Sequence, residues 1–126
     1  MEKSIENING KSRIVATFDI PWVIRLNPET KQEETTYAKV KIKKMNFGEY
    51  NEIQRASLKL TTIGNAVKAD IDGVAMNEQA ILKSVIEAPF AINDMNAIRD
   101  LDREVSDILL ANINELNTPT DKKKES

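Results

Sequence analysis

Two stretches of the chain alternate apolar and polar positions. In the segment 13–26, RIVATFDIPWVIRL, the residues Ile14, Ala16, Phe18, Ile20, Trp22, Ile24 and Leu26 take every second place. Between them lie Val15, Thr17, Asp19, Pro21, Val23 and Arg25. A period of two with β-branched and aromatic residues is the mark of a strand. Pro21 donates no backbone hydrogen bond, so it predicts an edge position, a bulge or a break. From Thr35 to Met45 the alternation resumes, with Ala38, Val40 and Ile42 on one face and Tyr37, Lys39, Lys41 and Lys43 on the other. Asn27-Pro28-Glu29-Thr30 between the two runs suits a type I turn. The pattern predicts an antiparallel hairpin over 13–45 with one wet face. Residues 1–12 read as a flexible lead-in.

The period then changes. Asn46 is a favoured helix N-cap and Glu49 stands three places on, where it reaches back to the cap. A helix is expected over about 47–62, with Phe47, Tyr50, Ile53 and either Ser57 or Leu58 at helical spacing. Residues 65–73 read as a short helix or a loop, with Asp72-Gly73 as a turn. A further helix is expected over about 77–88, with the stripe Ile81, Leu82, Val85 and Ile86 and its end at Pro89. Asn93 or Asp94 caps another, over 94–116, with the stripe Met95, Ile98, Leu101, Val105, Ile108, Leu109, Ile113 and Leu116. The tail 117–126 holds no large apolar residue and reads as disordered. The fold class is therefore α+β: an N-terminal antiparallel hairpin followed by three α-helices, or four, in a single domain over 13–116.

Composition narrows the chemistry. The chain has 126 residues, neither cysteine nor histidine, and a net charge of −2. Zinc-thiolate sites, disulfides, thiol nucleophiles and imidazole bases are excluded. No apolar run approaches the roughly eighteen residues of a membrane span, and no leader is evident, so the expected location is cytoplasmic. An EF-hand reading of Asp70-Ile71-Asp72-Gly73 fails in register, because the first ligand place falls on Lys68 and the twelfth on Gln79. The acidic residues Asp100, Asp102, Glu104 and Asp107 do not converge with a basic partner on one helical face. No catalytic residue, cofactor or metal site is expected, and the chain does not read as an enzyme. The lysine strand, Lys39, Lys41, Lys43 and Lys44, has only Tyr37 as an aromatic neighbour, which argues against nucleic acid. Lysines on an exposed strand guard a sheet against wrong pairing.

What remains is contact. A lone hairpin is marginal in water, and the last helix carries a long apolar stripe. The candidate partner-binding residues are Trp22, Tyr37, Phe47, Tyr50, Ile98, Leu101, Val105, Ile108 and Leu109. A homo-oligomer or a bound client chain would cover them.

The segment KIKKMNFGEYNEI (41–53) resembles the small tail assembly chaperones of long-tailed phages and prophages. So does 86–116, with EAPF at 87–90 followed by NDMNAIRDLDREVSDILLANINELN. With the turn at Asn27 to Thr30, the resemblance touches most of residues 20–117. It implies a protein that coats the tape-measure protein until tail-tube subunits displace it, without nucleotide, in the cytoplasm of a bacterial host. It also implies a longer form made by ribosomal frameshifting. Lys122-Lys123-Lys124 stands at the fitting place, though a plain charged tail accounts for the same residues. A structural tail component and a small nucleic-acid-binding regulator are the alternative readings.

Overall fold

The structure, a computed structural model describing residues 1–119, begins with a strand where the sequence reads as a loose lead-in. β1 (Glu2–Ile8) pairs antiparallel with β2 (Lys11–Leu26), from Glu2 opposite Thr17 to Ile8 opposite Lys11. The turn between them is Asn9-Gly10, at φ 53° and 83°. Positive φ at both central residues is what a two-residue type I′ hairpin turn requires, and Asn-Gly supplies it. β1 shows no apolar alternation because it needs none. Its ladder to β2 holds it, and Ile5 stays exposed.

β2 pairs in turn with β3 (Glu33–Lys43), giving the expected hairpin. The register slips between Pro21 and Val23, so Trp22 sits at a bulge. That is one of the outcomes Pro21 predicts. The loop is tightened by Asn27, whose Oδ1 accepts hydrogen bonds from the amides of Glu29 and Thr30 at 2.9 and 3.2 Å. A short β6 (Val85–Glu87) completes the first sheet, in the order β1-β2-β3-β6.

Among the described residues, four helices accompany it. α1 (Phe47–Ser57) starts at Asn46, which with Glu49 forms a complete capping box. It stops five residues short of the expected 62, and the chain turns into a second hairpin, β4 (Leu58–Ile63) and β5 (Ala66–Ile71). Thr61, Thr62 and Ile63 are β-branched, and Gly64 at φ 61° opens a two-residue turn. The reading of 65–73 as short helix or loop is thereby corrected. α2 (Gly73–Ser84) begins earlier than expected because Asp72 caps it, accepting from the amides of Val74 and Ala75 at 3.0 and 3.2 Å. It ends at Ser84 and not at Pro89, since residues 85–87 pair with β3.

The expected helix over 94–116 is two: α3 (Met95–Arg99), capped by Asp94, and α4 (Arg103–Asn117). The break falls at Asp100-Leu101-Asp102, where short acidic side chains favour caps over helix interiors. The apolar spacing continues across the break because both pieces pack on the same core. That core lies on one face of the first sheet, where Ala16, Phe18, Ile20, Val40 and Ile42 meet Ile81, Ile98, Val105, Leu109, Ile113 and Leu116. α4 reaches Asn117. The rest of the tail predicted as disordered, 120–126, lies outside the described residues.

Candidate functional site

The predicted contact residues divide by burial. Ile98, Val105 and Leu109 are core, and no partner reaches them while the domain is folded. Leu101 and Ile108 pack against the same cluster, partly buried. The long stripe is therefore absorbed by the sheet, which corrects its reading as a partner face. The aromatic candidates lie outside. Phe47 is 81% exposed, Tyr37 63% and Tyr50 45%. Trp22 is intermediate in role, since its ring lies 6.0 Å from that of Phe90 while its outer edge meets solvent.

Phe47 and Tyr50 form the rim of an apolar groove of about 610 Å³ between α1, α2 and α4. Its floor is Ile53 from α1, Met76 and Ala80 from α2, and Leu110 and Ile113 from α4. The amides of Asn46, Asn77 and Asn114 stand at its margin. These residues come from three helices separated in sequence, so no single stretch announces the groove. Only its two aromatic residues are visible as candidates beforehand.

The walls are fixed by polar contacts. Glu49 is central to this. It is paired with Arg13 of β2 and Lys43 of β3, each at 2.6 Å, and accepts the amide of Asn46 at 3.0 Å. Arg13 also donates to the carbonyl of Lys44. Burial opposes the Glu49 charge, but hydrogen bonds from Lys43, Asn46 and Arg13 outweigh it and hold the carboxyl at about 2. One carboxylate thus ties the start of α1 to two strands. Across α1 and α2, Lys83 meets Glu52 at 2.5 Å. At the far end, the amide of Met45 donates to Asn117 Oδ1 at 2.9 Å, and Asn117 Nδ2 donates to the carbonyl of Ile113 at 2.7 Å. Met45 and Asn117, both lining the groove, are thereby joined across it.

Three of the four lysines of the lysine strand are paired with carboxylates. Lys39 pairs with Asp19 at 3.3 Å, Lys41 with Glu6 at 2.7 Å and Glu87 at 3.6 Å, and Lys43 with Glu49. The Glu6 carboxylate raises the Lys41 pKa above its ordinary value. These internal partners neutralise the charges a phosphate backbone would need. Among the described residues no group of three or more carboxylates is placed to hold a metal ion. None of their helices is long and apolar enough to cross a membrane.

Two surfaces escaped the sequence reading. The outer half of the β2–β3 hairpin, with Val23, Ile24 and Leu26, projects past the core. The β4–β5 hairpin is exposed at every residue. Its apolar positions were hidden in the sequence because 58–62 could be read as the end of a helix. Comparison of the chain with protein-family models, curated proteins and solved structures finds no match.

Proposed function

We propose that this protein is a tail assembly chaperone that holds the apolar face of a long helical client, the tape-measure protein, until tail-tube subunits take its place. The observation that carries the reading is the groove of Phe47, Tyr50, Ile53, Met76, Ala80, Leu110 and Ile113, with its two aromatic side chains exposed. A groove walled by three helices accepts an amphipathic helix through anchors spaced three and four residues apart. Exposed aromatics at such a rim are the residue types that dominate binding energy. Methionine at positions 45 and 76 lets the lining adapt to many similar segments, as a protein coating a long chain requires. The resemblance of segments 41–53 and 86–116 to tail assembly chaperones names the client class, and the first of these segments contains the groove's rim. The holding is non-enzymatic and takes place in the bacterial host cytoplasm.

The test is co-expression with the tape-measure protein of the same genome, followed by affinity measurement on soluble helical fragments of it. Phe47→Asp together with Tyr50→Ser should weaken binding by about 30-fold or more while the thermal midpoint stays put. Unchanged affinity in that variant sinks the groove as the client site. Mass spectrometry of finished particles checks the other half, since a chaperone is absent from them and a structural component is present.

A further inference from the structure

The β4–β5 hairpin is amphipathic across its width. The register places Leu58 opposite Ile71, Leu60 opposite Ala69 and Thr62 opposite Val67 on one face. Lys59 opposite Asp70, and Thr61 opposite Lys68, occupy the other, with Ile63 opposite Ala66 beside the turn. All are exposed, and neither strand contributes a residue to the core. Two strands alone are marginal in water, whereas three or more with an apolar face are stable. Both outer edges of this ribbon are free to pair, for no further strand joins it among the described residues.

The two edges are not equivalent. β4 carries one charged residue, Lys59, so antiparallel pairing of β4 with a copy of itself offers it no opposite charge. β5 reads Ala66-Val67-Lys68-Ala69-Asp70-Ile71, and about Ala69 this sequence is its own complement. Placed antiparallel to a second copy with Ala69 facing Ala69, Lys68 faces Asp70 twice and Val67 faces Ile71 twice. Charges then meet on the polar face and branched side chains on the apolar face. Shifting by two residues sets Lys68 against Lys68 or Asp70 against Asp70. Shifting by one turns the apolar set of one copy to the polar side of the other.

We infer that the chain forms a two-fold homodimer through β5, centred on Ala69, joining two hairpins into one four-stranded antiparallel sheet. The occupant of this edge is a second copy, and the inference does not depend on which client the groove holds. Each Asp70, 3.8 Å from Lys68 of its own strand, gains Lys68 of the other copy as a cross-strand neighbour. The symmetric apolar face carries Leu58, Leu60, Val67 and Ile71 from each copy.

The chain has no cysteine, so single thiols report the register directly. Directly opposed residues in an antiparallel pair lie about 4.5–5.5 Å apart, within disulfide reach. Ala69→Cys should therefore cross-link to itself under mild oxidation. Val67→Cys and Ile71→Cys should not, because like positions are then four residues out of register, roughly 14 Å along the strand. Mixed together, those two should cross-link to each other. Charge reversal gives a second readout by sedimentation velocity. Lys68→Asp alone and Asp70→Lys alone should each be monomeric, and an equimolar mixture should form heterodimers. Circular dichroism confirms that the body stays folded in each variant. A wild-type chain that is monomeric at about 100 μM, Val67→Cys that cross-links to itself as readily as Ala69→Cys, or Lys68→Asp that dimerises as the wild type does, each overturns the inference.

Discussion

β2–β3 and β4–β5 are built alike and end in opposite circumstances. Each is an antiparallel pair with an apolar and a polar face. On the first, Ala16, Phe18, Ile20, Val40 and Ile42 vanish under helices. On the second, Leu58, Leu60, Val67 and Ile71 remain in water. Alternation therefore says which side of a ribbon is apolar. What covers that side depends on where the flanking chain goes. After β3 the chain returns through α2, β6, α3 and α4 to the sheet. After β5 it returns to the body and leaves the ribbon behind.

The contrast breaks hardest at the core. Leu109→Ala should cost about 2–5 kcal/mol, read as a fall in the urea midpoint, because Leu109 is wholly buried beneath the sheet. Next comes the ionic joint. Glu49→Gln should lower stability at pH 7 by about 1.5–3 kcal/mol through its lost charge-assisted hydrogen bonds. Its sign with pH follows from the depressed carboxyl, at about 2 in the fold against 4.5 ordinarily. The contribution is whole above about pH 4.5 and fades as pH falls toward 2, so wild type and Glu49→Gln should converge between those limits in urea titrations. At the far end of the scale, Leu60→Ser on the arm should change monomer stability by less than about 0.5 kcal/mol, measured at high dilution. A large loss there would mean that the arm is packed, and the comparison would fail.

How much could be read beforehand follows the same line. The core face of β2–β3 from Ala16 to Ile20 and from Val40 to Ile42, an irregularity at Pro21 and the Asn46–Glu49 cap were legible because local chemistry dictates each. By contrast, Val15 is buried on the face read as wet, and the last helical stripe, read as a partner face, is core. β1 was not, since its pairing rests on the Asn9-Gly10 turn and a backbone ladder, with hardly an apolar residue to signal it. The split at Asp100-Leu101-Asp102 was masked by apolar spacing that runs unbroken through it. β4 was masked by Leu58, which fits a helical stripe as well as a strand face. Of the groove, Phe47 and Tyr50 were found in advance. The floor was not, because it exists only where α1, α2 and α4 converge.

The strand order bears on how the molecule comes into being. β1 with β2, β2 with β3, and β4 with β5 all pair sequence neighbours. Such short-range ladders close fast and can zip in turn as the chain leaves the ribosome. β6 must travel back to β3, and α2, α3 and α4 must travel back to the face of the first sheet. α4, the last of the described helices in chain order, then closes the interior and lays the remaining wall of the groove.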